Sequence, residues 1–299
     1  MSNPILDRVN RDSRQGYAGF NESGATHQAA PQQGGYAQQG YPQQRTQDQW
    51  VDGPIRTNDG RGVTVDDVVV KTGILFSIVV AAAVVAWFLA PTFGPILWGV
   101  GLVGTLILGF VVFMSKTVRV PLIMLYAALE GVFVGAISQS YSNTFDGIAQ
   151  SQNGSITTEA VPIHQGIVFQ AVLATVCVFA AMLFLYKARI IKVTEKFRSV
   201  VSMMLLGYFL FALVNLVFAL VTKEPFGIGG SGLLGIGISL FAVGLASVTL
   251  MLDFDNIEQA IRSGAPEKYS WLLAMGLIVT LVWLYLEILR LLGRLRSSD

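Results

Sequence analysis

The sequence predicts an all-α membrane protein, a seven-transmembrane-helix bundle preceded by a disordered N-terminal tail. Three observations carry that reading. Of the 299 residues, 53% are hydrophobic and only 13% are charged, about half the charged share of an ordinary soluble domain. The apolar residues gather in long runs beyond Lys71, whereas residues 1–62 hold ten Gln and nine Gly. The net charge is +1, without the basic excess that marks a nucleic-acid partner, so none is expected. One cysteine excludes a disulfide framework and a multi-cysteine zinc site, and two histidines leave little for imidazole-based metal chemistry.

Residues 1–62 form the first unit, a Gln/Gly-rich cytoplasmic tail with runs such as Gln38-Gln39-Gly40-Tyr41-Pro42-Gln43-Gln44. Its aliphatic residues are too sparse to offset the entropy of ordering the chain, which predicts disorder. No apolar core of about 7–15 residues follows Met1, so no cleavable signal peptide is expected. Met1-Ser2-Asn3-Pro4-Ile5-Leu6 and Gly16-Tyr17-Ala18-Gly19-Phe20 are either docking motifs for a protein partner or parts of a solvated tail.

Residues 63–299 form the second unit. A bilayer core about 30 Å thick needs about 20 apolar residues at the helical rise of about 1.5 Å. Seven segments fit: Gly73–Ala90, Pro95–Met114, Val120–Tyr141, Ile167–Tyr186, Val200–Val221, Gly232–Leu252 and Ser270–Leu292. Pro91 and Pro95 mark a tight outer connection between the first two. Helices are required because open strands would leave backbone groups unpaired in lipid.

Orientation follows from Lys and Arg in the short connections. Lys116 and Arg119 lie in the second connection. The fourth carries Lys187, Arg189, Lys192, Lys196 and Arg198, and the sixth carries Arg262 and Lys268. The first and third have none, and the fifth has only Lys223. The basic side is cytoplasmic, and Lys71 places the tail there. Seven spans then put the C-terminus outside, in conflict with the basic Arg290, Arg294 and Arg296.

Charges inside the spans are few. A carboxylate at mid-membrane costs roughly 2.5–3.5 kcal/mol, which makes each one a functional candidate. Glu130 stands in the third span beside Ala127, Gly131 and Gly135, a small-residue face for close helix packing. It is either a proton- or cation-responsive group or a neutral acid bonded to a neighbouring helix. In the sixth span, Ser239, Ala242, Ala246, Thr249 and Asp253 follow at steps of three and four along one helical face. A weakly polar stripe closed by a carboxylate suits a gated ion path, because oxygen ligands match hard cations such as Ca²⁺. Asp255 and Glu258 follow that span and read as solvated residues.

Glu287 has Arg290 three residues on, so a local ion pair is expected. Trp283 and Tyr285 suit the aromatic belt of the interface. Cys177 reads as a small apolar core residue, His164 as an interfacial histidine, and Asn153-Gly154-Ser155 fits the glycosylation sequon. No P-loop, Gly-x-Ser-x-Gly or HExxH is present, and Glu130 and Asp253 lie near different depths, so no enzyme is expected.

Three segments resemble a known family. Leu125-Tyr126-Ala127-Ala128-Leu129-Glu130-Gly131-Val132-Phe133-Val134-Gly135 is similar to its third helix. Leu252-Asp253-Phe254-Asp255-Asn256-Ile257 resembles its Tyr-Asp-x-x-x-Ile at the end of helix six. Leu284-Tyr285-Leu286-Glu287-Ile288-Leu289-Arg290-Leu291-Leu292 resembles its final helix. Their order and spacing resemble the Bax-inhibitor (TMBIM, YccA-like) family, in its bacterial branch, over roughly residues 65–295.

That resemblance implies a seven-helix bundle with a central last helix and a pH-sensitive calcium leak gated by two carboxylates. Asp253 matches the first carboxylate. Aligning the terminal Leu-Arg-Leu-Leu run puts Thr280 where relatives have aspartate, so the second does not carry over, and Glu287 lies about two turns further on. The basic residue closing the second helix of some relatives is matched only by Lys116. The implied ion-path or pH-sensing residues are therefore Asp253, Glu130, Asp255, Thr280 and Lys116, with no metal ligands assigned. The expected protein sits in the plasma membrane, passes Ca²⁺ or another cation and needs no cofactor. The alternative is a membrane regulator that binds a membrane protease or another protein partner through its tail.

Overall fold

The computed structural model describes residues 61–298 apart from 116, 153–154, 161, 163–164, 190–192 and 224–225. The helices are α1 (Val65–Met114), α2 (Val120–Phe145), α3 (Ile167–Lys187), α4 (Glu195–Thr222), α5 (Leu233–Arg262) and α6 (Ser270–Ser298). A short antiparallel pair, β1 (Gly147–Gln152) and β2 (Ser155–Ala160), joins α2 to α3, with Gly147 opposite Ala160 and Gln152 opposite Ser155. Among the described residues, six helices are long and apolar enough to cross a membrane.

The first two expected spans are thus two arms of one 50-residue helix. Only Phe93 leaves helical backbone angles, with Pro91 and Pro95 on either side. Proline removes a backbone donor and its ring clashes with the preceding turn, which bends a helix there. The bend reverses the chain. Gly131 and Gly135 of α2 lie against Val79 and Ala83 of the first arm, while Phe133 and Leu129 lie against Gly101 and Gly104 of the second. Residue numbers rise together in the first case and run oppositely in the second, so the arms are antiparallel and flank α2 at the same level.

Close approach here depends on glycine. A Cβ at Gly131 would run into the Val79 carbonyl, and one at Gly135 into that of Ala83. The small-residue face read beside Glu130 is therefore where α2 meets the first arm of α1.

The connection after α2 carries a short β-hairpin, an addition to an otherwise all-helical architecture. The sequence reading needs two further corrections. Helix α5 continues to Arg262, so Asp255 and Glu258 lie within it rather than after it. Arg61 and Gly62, assigned to the tail, are ordered. Arg61 donates to Asp67 at 2.5 Å, Gly62 bridges to Pro266, and the Val63 amide donates to the Ala265 carbonyl at 2.8 Å. The remainder of the disordered-tail reading, residues 1–60, lies outside the described residues.

A Thr64–Asp67 capping box starts α1 by satisfying two of its unpaired amides. Lys71 then reaches Glu267 at 3.2 Å and Ser270 at 2.6 Å, tying α1 to the α5–α6 turn. We call this the tail end of the bundle and the opposite one the hairpin end. Helix α6 packs against α1, α2, α3 and α5 and is the most buried of the six. A central last helix is what the resemblance implied. Helix α4 is the least buried and packs mainly on α5.

Candidate functional site

The stripe of α5 points inward. Ser239, Ala242 and Ala246 are buried, and Ala246 and Leu250 pack with Leu277 and Leu284 of α6. Small side chains on α5 let the two helices approach, and the face ends at Asp253 about 21 Å from Ser239 at the helical rise.

Asp253 is half-buried, but its Oδ2 is enclosed and has no hydrogen-bond partner. The carboxylate lies beside the hydroxyl of Thr280, a residue 6% exposed on α6. That hydroxyl donates to the Gly276 carbonyl of its own helix at 3.2 Å. The fold therefore brings together the two positions that the resemblance singled out, with a hydroxyl in place of a second carboxylate. A buried acceptor without a donor costs about 1–3 kcal/mol, more when charged, so this is an expensive place to leave an oxygen bare.

The buried arginine at this end, Arg198, is engaged elsewhere. Arg198, in the first turn of α4, holds Asp255 and donates to Asn256 at 2.6 Å. Asp255 also accepts from Gln259 at 2.7 Å. Glu258 accepts from Tyr186 and Arg262. Asp255 was read as solvated beyond the helix and is instead paired on it with buried Arg198, whereas Glu258 lies on the helix with a solvent-exposed pair to Arg262.

At the hairpin end, Glu287 is 3% exposed and saturated. Its carboxylate accepts from Tyr208 at 2.5 Å, Trp283 at 3.2 Å and Arg290 at 3.1 Å. The local pair with Arg290 is as expected. Tyr285, assigned to the interface belt, is buried and bonds Ser138 at 2.7 Å. Trp283 likewise turns its indole N–H to Glu287 rather than to the membrane surface. A buried acid in a span needs donors more than the interface needs another aromatic residue.

Arg294 was missed as a site residue. It is 2% exposed. Its guanidinium donates to the Gly235 carbonyl, to Ser239 Oγ at 3.1 Å and to the Phe226 carbonyl at 3.0 Å, and it stacks 5.6 Å from the Phe226 ring. Its Nε is buried without a partner. Arg296 pairs with Asp146 at 2.7 Å and donates to Gln165 and Gln170. None of Arg290, Arg294 and Arg296 is thus a free loop charge. The available sequence signal was spacing, since residues 287, 290 and 294 share one face of α6.

Glu130 is 5% exposed on α2. Its Oε1 accepts from Tyr126 at 3.4 Å and its Oε2 is buried without a partner. No hydrogen bond or ion pair joins it to Asp253 among the described residues. Cys177 is exposed on α3 beside exposed Val176, not packed in a core. Lys116, His164 and Asn153 lie outside the described residues. Among those described, no group of three or more His, Cys, Asp or Glu is placed to hold a metal ion.

A family profile described as Bax inhibitor 1 like matches residues 3–297, which takes in the Gln/Gly-rich tail as well as the helices. A comparison with curated proteins returns no match. With nearly its whole length matched and its apolar helices packed around a central last one, the chain belongs to the Bax inhibitor 1 like family of multi-pass membrane proteins.

Proposed function

We propose that this protein is a cation leak, with Ca²⁺ the favoured ion, gated where Asp253 meets Thr280. The observation that carries the reading is the enclosed, unpartnered Oδ2 of Asp253 at the end of an inward-facing stripe of small and hydroxyl-bearing residues. In the closed state of this reading Asp253 is neutral and gives its proton to the Thr280 oxygen, while the Thr280 proton goes to Gly276. Ionisation removes the Asp253 donor, and the Thr280 hydroxyl must then leave Gly276 to serve the carboxylate. The ionised state favours water or a cation beside it, and therefore an open path. One carboxylate and one hydroxyl thus do the work of the family's two carboxylates.

The two antiparallel arms of α1 and the other five helices make seven crossings of the plasma membrane. The Lys and Arg gathered in the tail-end connections favour a cytoplasmic N-terminus. The ion pairs and burial of Arg290, Arg294 and Arg296 support this topology, because such residues no longer count as loop charges. Glu130, buried and half-satisfied, belongs to the path rather than to its gate, and Asp255 flanks the tail-end mouth.

The full chain in calcium-free liposomes is expected to admit Ca²⁺ with a pH dependence that Asp253→Asn abolishes. Flux that is unaltered in Asp253→Asn sinks the gate. Deleting residues 1–60, which leaves the Arg61 and Gly62 contacts in place, is expected to leave flux intact. A truncated chain that keeps its fold but loses a cellular partner would favour the adaptor reading instead.

A further inference from the structure

The far end of the same stripe is occupied by a positive charge. Arg294 enters from α6 and lies against Gly235 and Ser239, the first residues of the stripe. Three oxygens surround its guanidinium: the Gly235 and Phe226 carbonyls and the Ser239 hydroxyl. Two neutral carbonyls and a hydroxyl are the kind of oxygen donors that a hard metal cation also takes. No carboxylate pairs with Arg294 among the described residues. The nearest acid on its own helix, Glu287, is engaged by Arg290, Tyr208 and Trp283.

A buried guanidinium without a counter-charge is costly in hydrocarbon surroundings. A purely structural tie between α6 and the start of α5 would need only a neutral donor, such as glutamine. The charge itself therefore calls for a role, and its position at the end of the stripe supplies one.

We propose that Arg294 is a tethered cation that plugs the hairpin end of the stripe, filling an oxygen-lined cation site with its own guanidinium. The proposal rests on the leak reading for its physiological meaning, although the plug is a statement about occupancy alone. The side chain closes the path in two ways. It fills the space at Ser239, and its fixed charge repels any cation that enters. Opening requires α6 to withdraw from the α4–α5 turn, which breaks the bonds to Phe226 and Gly235 together.

The test uses the full chain in lipid nanodiscs with Cys177→Ser, so that Ser239→Cys is the only thiol. A positively charged, membrane-impermeant methanethiosulfonate reagent should leave Ser239→Cys unmodified while Arg294 is present. In Arg294→Ala the thiol should react, and millimolar methylguanidinium should slow that reaction where tetramethylammonium does not. Arg294→Gln keeps a hydrogen-bonding side chain without the charge and should behave like Arg294→Ala, which covers the case in which alanine impairs folding. In liposomes, either variant should raise cation influx by about tenfold or more, the scale on which a fixed like charge alters ion access to a narrow path.

A thiol that stays unreactive in both variants overturns the plug. So does reactivity that methylguanidinium does not suppress, which would report loosening of the helix ends. Thiol reactivity gained and suppressed as described, but with no flux in any variant, upholds the plug and defeats the leak reading.

Discussion

At the hairpin end of the bundle, Glu287 of α6 is surrounded by three donors, each within 3.2 Å. At the tail end, Asp253 of α5 has an enclosed oxygen with none. Both are acids on packed helices, and both replace a residue that could have been leucine at lower cost. The difference is in how completely each is satisfied. Glu287 joins α4 and α6 through Tyr208 and so holds the bundle together. Asp253 contributes no comparable tie, and its position is one that a fold built only for stability would not retain.

That contrast is most severely tested by Glu287→Ala. It strands the Arg290 guanidinium, the Tyr208 hydroxyl and the Trp283 N–H, and should destabilise the protein by about 3 kcal/mol. Thermal unfolding in detergent micelles reads this as a midpoint lowered by several degrees, and an unchanged midpoint would break the comparison. Next comes the scaffold that both ends share. Gly131→Val drives a side chain into the Val79 carbonyl and should cost about 1–3 kcal/mol, with the first arm of α1 loosened in hydrogen exchange. A smaller effect is expected from Tyr208→Phe, which removes one of the three donors to Glu287. About 1 kcal/mol is anticipated, and its double-mutant cycle with Glu287→Gln should show coupling between the two.

Asp253→Asn completes the series with a stability change close to zero, since the carboxylate it removes is held by no donor at Oδ2. Its effect should fall on the pH dependence of flux. A loss of stability as large as that of Glu287→Ala would show that Asp253 is structural too. Thr280→Asp sharpens the same point by restoring a second carboxylate, and should move the pH profile of flux without changing the fold.

Much of this was legible in the residues. Runs of about 20 apolar positions specify helices wherever water is absent, because only internal hydrogen bonds remain for the backbone. The stripe from Ser239 to Asp253 was legible because a helical period places those residues on one face. Thr280 was found only through alignment of the terminal Leu-Arg-Leu-Leu run, since nothing about a lone threonine in an apolar helix marks it as a partner of Asp253. Arg294 escaped for the opposite reason. As one of three arginines near the C-terminus it read as part of a basic end, and its oxygen partners on Phe226, Gly235 and Ser239 are distant in sequence.

Composition and periodicity by themselves determined that this chain is a membrane-embedded helical bundle, and which few charges lie within it. These follow from local physics: burial of apolar surface, backbone satisfaction in lipid and the pitch of the helix. Only the tertiary structure decided that Pro91 and Pro95 fold one long helix back on itself, and that Asp255 and Glu258 are ion-paired on α5. It also decided that Glu287 is saturated, that Asp253 is left with a bare oxygen, and that Arg294 is held by oxygens of Phe226, Gly235 and Ser239. Each of these depends on which donor meets which acceptor across the bundle, and that is fixed by the packing of distant helices rather than by the order of residues in any one of them.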